Sequence, residues 1–170
     1  RDSPLAAAMR MIPASDKPVI EARGLTKQFG AFTAAENITF QVRPGEIFGL
    51  LGPNGAGKST TFKMLCGLLR PTSGEGHVAG IDLRRAAPKA RARLGYMAQK
   101  FSLYGELSVR QNLEFFAGVY GLTGTRRKDR VATMIEVFER GPMAGRNAGA
   151  LPLGFKQRLA LACALLHEPD

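Results

Sequence analysis

The stretch GPNGAGKST occupies Gly52, Pro53, Asn54, Gly55, Ala56, Gly57, Lys58, Ser59 and Thr60. It fits the pattern Gly, any four residues, Gly-Lys, and then Ser or Thr. The apolar run at residues 47–51 precedes it. Because this run does not alternate with polar residues, it predicts a strand covered on both faces, as in a parallel sheet. A helical pattern begins at Lys58, so the sequence predicts a strand, a loop and a helix in succession.

The loop predicts a binding site for the phosphates of a nucleoside triphosphate, with ATP and Mg²⁺ as the expected ligands. Its glycines let the backbone curl so that successive N–H groups converge on phosphate oxygens. The N-terminus of the following helix adds a partial positive charge. We expect Lys58 to reach the β- and γ-phosphates, Ser59 to ligate Mg²⁺ and Thr60 to contact the α-phosphate. The loop alone does not separate transport ATPases from kinases or GTPases.

Strands are predicted on both sides of this loop. Residues 19–29 have strand character, and Ile38, Phe40 and Val42 alternate with polar residues in the manner of a half-buried strand. A short strand pair is expected around residues 77–81, and a further strand at residues 94–97. The sheet-rich part of the chain ends near Gln99.

Helices are predicted after the loop and throughout the second half of the chain. The spacing of Phe62, Leu65, Cys66 and Leu69 indicates a helix that ends before Pro71. Ser108 and Gln111 have the spacing of a capping box, which predicts a helix from there to about Tyr120. Two further helices are expected, one marked by Val131, Met134, Ile135 and Phe138, and a largely buried one from about Phe155 to Leu166.

The composition is that of a globular protein, with 170 residues, 45% hydrophobic residues and a net charge of +10. No apolar run approaches the roughly 18 residues that a membrane span needs. Basic residues cluster at 84–93 and 125–130. Such clusters serve nucleic acid or anionic lipid in some proteins, but a solvated helix face is the simpler interpretation.

The cysteines and histidines predict no further site. Cys66 and Cys163 lie far apart in apolar helical patterns, so we expect buried, reduced thiols rather than a disulfide or a metal pair. His77 and His167 have no Cys or His at ligand spacing, so a metal-binding role is not expected.

Several segments resemble, in order, the nucleotide-binding domains of ABC transporters. The resemblance covers nearly all of residues 19–170. In LTKQFG, Phe29 lies where that family has an aromatic residue that stacks on adenine, with Phe32 as the alternative. In LGYMAQ, Gln99 lies at the Q-loop position, where the resemblance implies that its amide ligates Mg²⁺ and orients water. The family's catalytic roles are thus implied for Lys58 and Gln99.

The segment LPLGFKQRLALACALLHEPD resembles the family's signature, Leu-Ser-Gly-Gly-Gln followed by a basic helix. The matching residues are Leu151, Gly154, Lys156, Gln157 and Arg158, whereas Pro152, Leu153 and Phe155 depart from the pattern. In the family this segment approaches the γ-phosphate held by the opposite subunit of a dimer. Since Pro152 has neither a hydroxyl nor an N–H, we expect that composite site to hold ATP less firmly or to rely on Gly154 and the helix dipole.

The resemblance implies an α/β fold of the P-loop NTPase class, with a RecA-like mixed sheet core, an antiparallel β edge and an α-helical subdomain. The expected divisions are a tail or linker at residues 1–17, the N-terminal part of the ATP-binding core at 18–100 and the helical subdomain at 101–170. The family's Walker B strand, catalytic Glu and switch His are expected after Asp170. We therefore expect residues 1–170 alone to bind nucleotide poorly, to hydrolyse it scarcely and to be unstable.

The function implied is that of an ATPase subunit of a membrane exporter of drugs or lipids. Its expected partners are transmembrane permease subunits and a second nucleotide-binding domain, as a homodimer or a tandem fusion, and no nucleic acid. Its expected location is peripheral, at the cytoplasmic face of the cell membrane. The alternatives are a soluble ABC-type ATPase acting on ribosomes or nucleic acid, and a regulatory domain that binds ATP without turning it over.

Overall fold

The computed structural model describes residues 17–98, 102–139 and 143–170. The described chain forms two compact units. The sheet unit contains the residues up to Leu94 together with Asp170, and the helical unit runs from Gly95 to Pro169. The finer boundaries expected at residues 17/18 and 100/101 stay a prediction.

The sheet unit is built on a four-stranded antiparallel sheet with the order β2-β1-β3-β4. The strands are β1 (Ile20–Phe29), β2 (Phe32–Val42), β3 (Ser73–Val78) and β4 (Ile81–Asp82). In β2, Ile38, Phe40 and Val42 face inward at least partly, whereas the intervening polar residues are exposed. The alternation and the strand pair around residues 77–81 are therefore confirmed.

The helix that follows the loop, α1 (Lys58–Leu65), packs on this sheet and closes a small core. The fully buried members include Leu25 from β1 and Met64 from α1. The helix is shorter than expected, because Gly67 takes a left-handed conformation (φ 64°) before Pro71 is reached. The Gly67 N–H donates to the Met64 carbonyl at 2.9 Å, which satisfies one of the free carbonyls at the helix end.

A second helix of the sheet unit carries most of the basic cluster at residues 84–93, for which the sequence predicts a solvated helix face without helix bounds. Helix α2 (Leu83–Arg91) begins at Asp82, whose carboxylate accepts a hydrogen bond from the Arg84 N–H at 2.8 Å. Ala86 departs from helical geometry (φ −139°, ψ 40°), and Pro88 lies within the helix. The interruption and the proline weaken the helical signal that the sequence carries.

The two strands expected at residues 47–51 and 94–97 are not present, so those predictions are wrong for the described structure. Ile47 and Leu51 are 99% and 92% exposed, the reverse of a strand covered on both faces. A strand of a parallel sheet is stable only when neighbours satisfy its backbone groups. The described sheet is antiparallel throughout and contains neither segment. A stack of Phe48 on Phe40, with ring centroids 4.6 Å apart, holds the first segment against β2.

The helical unit confirms the helices expected beyond Gln99. It contains α3 (Val109–Val119), α4 (Gly124–Met134), a π-helical turn (Ile135–Glu139), a 3-10 turn (Ala148–Ala150) and α5 (Leu153–Leu165). The capping box is present, since the Gln111 N–H donates to Ser108 Oγ at 3.2 Å and the Ser108 N–H to Gln111 Oε1 at 2.9 Å. The largest buried side chains of this unit include Leu113, Leu159 and Leu166. None of the helices in the described part of the chain has the length and hydropathy of a membrane span.

Candidate functional site

The phosphate loop is an exposed, curled segment between β2 and α1. Gly55 and Gly57 have φ values of 87° and 77°, which only glycine adopts without strain. A single turn hydrogen bond, from the Ala56 N–H to the Pro53 carbonyl at 3.3 Å, closes the middle of the loop. Residues 52–56 are exposed. The loop therefore presents its backbone, rather than bulky side chains, to the surrounding solvent.

Gly57 anchors the end of this loop against β2. A Cβ atom at Gly57 would collide with the Ala34 carbonyl oxygen and would lie 3.2 Å from the Ala35 Cα. Gly57 is also the N-cap residue of α1. Glycine is thus required here both for the left-handed backbone and for the close approach of loop and strand.

Lys58 lies across the loop that precedes it. Its Nζ donates to the Gly52 carbonyl at 2.6 Å and to the Pro53 carbonyl at 2.5 Å. The side chain is half-buried, so its ammonium group is held at the loop and does not extend freely into solvent. A phosphate group beside the loop would exchange these carbonyl contacts for stronger contacts between opposite charges.

The N-terminus of α1 is suited to an anion. Its first turn has no acidic residue, and no side chain caps Gly57. The Thr61 N–H and hydroxyl both donate to the Gly57 carbonyl, at 2.8 and 2.9 Å, which fixes the first turn. Ser59, which is exposed, and Thr60, which is half-buried, lie in that turn. The backbone N–H groups at the N-terminus of α1 suit a phosphate. The Ser59 hydroxyl is a suitable ligand for a Mg²⁺ that also binds that phosphate.

Among the described residues, no group of three or more His, Cys, Asp and Glu could hold a metal ion. The expected amide ligand, Gln99, lies outside the described residues, and so its placement relative to Ser59 stays a prediction.

Phe29 and Phe32 face each other across the turn that joins β1 to β2. They are 51% and 65% exposed, which is unusual for phenylalanine and leaves both rings accessible to a base. The Lys27 Nζ lies 5.0 Å from the centroid of the Phe29 ring. Phe29 thus has a polar partner that orients it, and the assignment of base stacking to Phe29 or Phe32 stays a prediction.

The expected signature segment forms the N-terminus of α5 in the helical unit. Leu151 is buried, Pro152 is the N-cap residue without a side-chain hydrogen bond, and Leu153 and Gly154 are exposed. Lys156 is half-buried and Gln157 is exposed in the same helix. Nothing lies within 4 Å of a Cβ built at Gly154, so the backbone is open to an approaching group.

A buried asparagine that sequence reasoning missed supports the helical unit. Asn112 is fully buried; its Oδ1 accepts from the Tyr104 N–H at 3.0 Å, and its Nδ2 donates to the carbonyls of Tyr104, Leu107 and Ser108 at 2.9–3.2 Å. The side chain therefore holds residues 104–108 against α3. The signal in the sequence for this buried side chain was an Asn in the first turn of an otherwise apolar helix face.

Cys163 is buried, as the sequence predicts, whereas Cys66 is only half-buried. Neither Cys66 nor Cys163 forms a disulfide. Burial raises the pKa of the Cys163 thiol to about 12, and it also raises the pKa of Cys66. Both groups are therefore neutral at physiological pH and poor nucleophiles.

Comparison with known proteins identifies the family. Residues 35–170 match the profile of the ABC transporter family. The chain belongs to this family. It is 58% identical over 170 residues to "Probable multidrug ABC transporter ATP-binding protein YbhF" of Escherichia coli, a match that covers 99% of this chain and 29% of that protein.

Other relatives of this ABC chain are less similar. It is 37% identical to "Nod factor export ATP-binding protein I" of Cupriavidus metallidurans and 36% identical to "Linearmycin resistance ATP-binding protein LnrL" of Bacillus subtilis. These matches cover 89% of this chain and 50% and 49% of the relatives. The chain therefore spans half or less of the length of these relatives.

Two solved structures confirm the P-loop NTPase fold of the ABC chain. An ATP-binding subunit of an ABC transporter superimposes with a TM-score of 0.77 at 31% identity, covering 89% of this chain and 63% of that one. The cbiO1 protein of Clostridium perfringens, described as part of the transporter complex cbiONQ, superimposes with a TM-score of 0.79 at 25% identity, covering 91% and 63%. The expected fold class and the resemblance to ABC nucleotide-binding domains are thus confirmed.

Proposed function

We propose that this chain is the ATP-binding part of an ABC exporter, in which ATP binding and hydrolysis by the full-length protein drive transport of a drug-like or lipid-like molecule. The observation that carries the proposal is the loop that ends at Gly57, with the Lys58 ammonium group held over it at 2.5–2.6 Å from two main-chain carbonyls. The names of the relatives, which include multidrug, Nod factor export and linearmycin resistance proteins, favour an exporter.

In this proposal, the loop residues bind and orient the triphosphate of ATP. The backbone N–H groups of Gly52 and of residues 54–60 surround the phosphate oxygens, Pro53 having none to donate, and Lys58 neutralises the β- and γ-phosphates. Thr60 contacts the α-phosphate, and Ser59 ligates Mg²⁺ together with Gln99. A bound Mg²⁺ supplies charge neutralisation on the β- and γ-phosphates. Gln99 orients the attacking water without adding a negative charge beside the phosphates.

The signature segment acts on the nucleotide of a second nucleotide-binding domain. Gly154, Lys156 and Gln157 lie on this surface, and the buried Leu151 anchors its start. The open backbone at Gly154 and the N-terminus of α5 are the groups that approach the γ-phosphate. Pro152 supplies no hydroxyl there. The composite site is therefore proposed to bind ATP more weakly than one with the family's Leu-Ser-Gly-Gly-Gln.

Transport is proposed to involve partner subunits. The proposal places the chain at the cytoplasmic face of the membrane, bound to permease subunits, with a second nucleotide-binding domain as a homodimer or a tandem fusion. Hydrolysis is proposed for the full-length protein. We still predict that residues 1–170 alone hydrolyse little ATP. None of the relatives named above is described as acting on ribosomes or nucleic acid.

The experiment that separates these functions is purification of the tagged full-length protein from its host in mild detergent. Co-purification of a polytopic membrane protein, together with ATP hydrolysis stimulated by that partner, is the expected result. Salt-sensitive co-sedimentation with ribosomes, without a membrane partner, would instead support the alternative. A full-length protein that binds ATP but hydrolyses none would support a purely regulatory domain.

A further inference from the structure

Lys27 joins two parts of the sheet unit that the proposed function uses separately. Its Nζ donates to the Arg70 carbonyl at 2.9 Å and lies 5.0 Å from the centroid of the Phe29 ring. Lys27 is half-buried in β1, two residues before Phe29, and the pairing of β1 with β2 is irregular between Lys27 and Gln28. The observed distance of the ammonium group from the ring therefore carries this contact. One ammonium group thus contacts the exposed ring and the backbone of a distant segment at once.

The segment that Lys27 contacts is the continuation of the phosphate-loop helix. Arg70 follows α1 by five residues in the chain, and residues 70–73 then run beside the end of β1. Thr72 reinforces this attachment, because its N–H donates to the Thr26 carbonyl at 2.9 Å and its Oγ1 accepts from the Gln28 N–H at 3.0 Å. These contacts attach the end of β1, and therefore Phe29, to the segment that follows α1. The N-terminus of α1 lies at the proposed phosphate site.

A cation over an aromatic ring restrains the ring and occupies one of its faces. The attraction is modest at an exposed site, and the Arg70 carbonyl fixes the cation at that position. An exposed phenylalanine without such a partner would sample several rotamers, and ordering it would weaken stacking by a base. With one face covered by Lys27, the Phe29 ring offers its opposite face.

We propose that Lys27 is a positioning residue for the base of the bound nucleotide, acting by holding the Phe29 ring at a set distance from the phosphate loop. The inference rests on the proposed function and refines it, because it selects Phe29 over Phe32 as the stacking ring. Lys27 itself contacts neither the phosphates nor the base. Its effect on binding must therefore disappear when the Phe29 ring is absent.

The test measures ATP and inorganic tripolyphosphate binding to the full-length protein by calorimetry, with steady-state hydrolysis in parallel. Lys27→Met keeps the stem and removes the charge, and Lys27→Arg restores a cation. We expect Lys27→Met to weaken ATP binding about two- to fivefold. Tripolyphosphate binding and kcat should not change, and Lys27→Arg should recover most of the loss. Lys63→Met, which removes an exposed lysine from the last turn of α1, is the matched control and should behave as the wild type.

The decisive comparison is a double-mutant cycle with Phe29→Ala. In the Phe29→Ala background, Lys27→Met should have no further effect on ATP binding. Three outcomes would overturn the inference while leaving the proposed function intact. Lys27→Met could weaken ATP binding equally in both backgrounds, or it could weaken tripolyphosphate binding as much as ATP binding. Its effect could also disappear with Phe32→Ala instead of Phe29→Ala. No ATP binding by the wild-type protein would overturn the proposed function, and this inference with it.

Discussion

Gly57 and Ala34 lie so close together that a Cβ atom at Gly57 would collide with the Ala34 carbonyl oxygen. The end of the phosphate loop is thereby seated on the backbone of β2, and α1 starts from that contact. The position of the phosphate site therefore depends on a backbone contact between β2 and the start of α1, the element that follows it in the chain.

Replacing Gly57 with Ala should damage both folding and nucleotide binding. The left-handed backbone costs an alanine about 1–2 kcal/mol, and the collision adds about 1–3 kcal/mol more. Gly45→Ala is the matched control, because Gly45 has a φ of 80° but nothing within 4 Å of a Cβ. We expect Gly57→Ala to unfold at lower urea concentration than Gly45→Ala and to bind ATP at least tenfold more weakly. If both variants unfold at the same urea concentration, the contact of Gly57 with β2 does not contribute to stability.

Asn112 should be one of the most sensitive positions of the helical unit. Asn112→Ala removes the acceptor of the Tyr104 N–H and the two amide N–H groups that three carbonyls share, and it leaves the N–H and carbonyl of Tyr104 without that partner inside the protein. We expect a loss of about 2–4 kcal/mol in the free energy of unfolding, measured with chemical denaturant. Val119→Ala, at an exposed position of the same helix, should change it by less than about 0.5 kcal/mol. Similar values for both variants would contradict the role given to Asn112.

Pro152 leaves the N-terminus of α5 without a side-chain cap. Pro152→Ser supplies a hydroxyl at the N-cap position and should raise the free energy of unfolding by about 0.5–1 kcal/mol relative to Pro152→Ala, which changes the same residue without adding the hydroxyl. If the signature role is correct, Pro152→Ser should also increase ATP-dependent dimerisation of the full-length protein, measured by light scattering. A serine variant that matches the alanine variant in both measurements would show that the hydroxyl has no effect.

The raised pKa of the buried Cys163 thiol should lower its reactivity towards alkylating reagents. With a pKa of about 12 in place of the usual 9.0, its thiolate at pH 8 is about a thousand times scarcer than that of a free thiol. A maleimide should therefore label Cys66 well before Cys163 in the native protein, and both alike in denaturant, as followed by mass spectrometry. Native labelling of Cys163 at the rate of Cys66 would contradict this burial.

The same shift predicts how stability depends on pH. The folded state holds the Cys163 proton more tightly than the unfolded state does, because its pKa is raised by desolvation. This contribution to stability is complete below pH about 9 and is lost as the pH rises towards about 12. Cys163→Ala should flatten the fall in the free energy of unfolding over that range. If the free energy of unfolding falls with pH as steeply in Cys163→Ala as in the wild type, other groups cause the fall.

Local signals in the sequence predicted much of the fold. Ser108 and Gln111 form the expected capping box because its two hydrogen bonds connect residues within one helical turn. The alternation of Ile38, Phe40 and Val42 likewise produced β2, whose partner β1 lies nearby in the chain. The loop at residues 52–60 has the expected glycine conformations for the same reason, since each depends on its own backbone.

Features that depend on distant partners could not be predicted this way. Residues 47–51 have the composition of a buried strand, but in the described structure Ile47 and Leu51 are exposed, because composition does not supply the neighbouring strand that such a segment needs. The contact of Gly57 with Ala34 and the bridge from Lys27 to Arg70 connect residues brought together only by the tertiary fold. The bounds of helix α2 were not predicted because Pro88 and the kink at Ala86 interrupt its pattern.

The most direct test of the phosphate site is titration of ATP into the full-length protein carrying Lys58→Ala, with Lys63→Ala as the matched control. Removing a charge-assisted contact to phosphate should weaken ATP binding about 10- to 100-fold and abolish most hydrolysis, whereas Lys63→Ala should match the wild type. A Lys58→Ala protein that binds and hydrolyses ATP as well as the wild type would contradict the account.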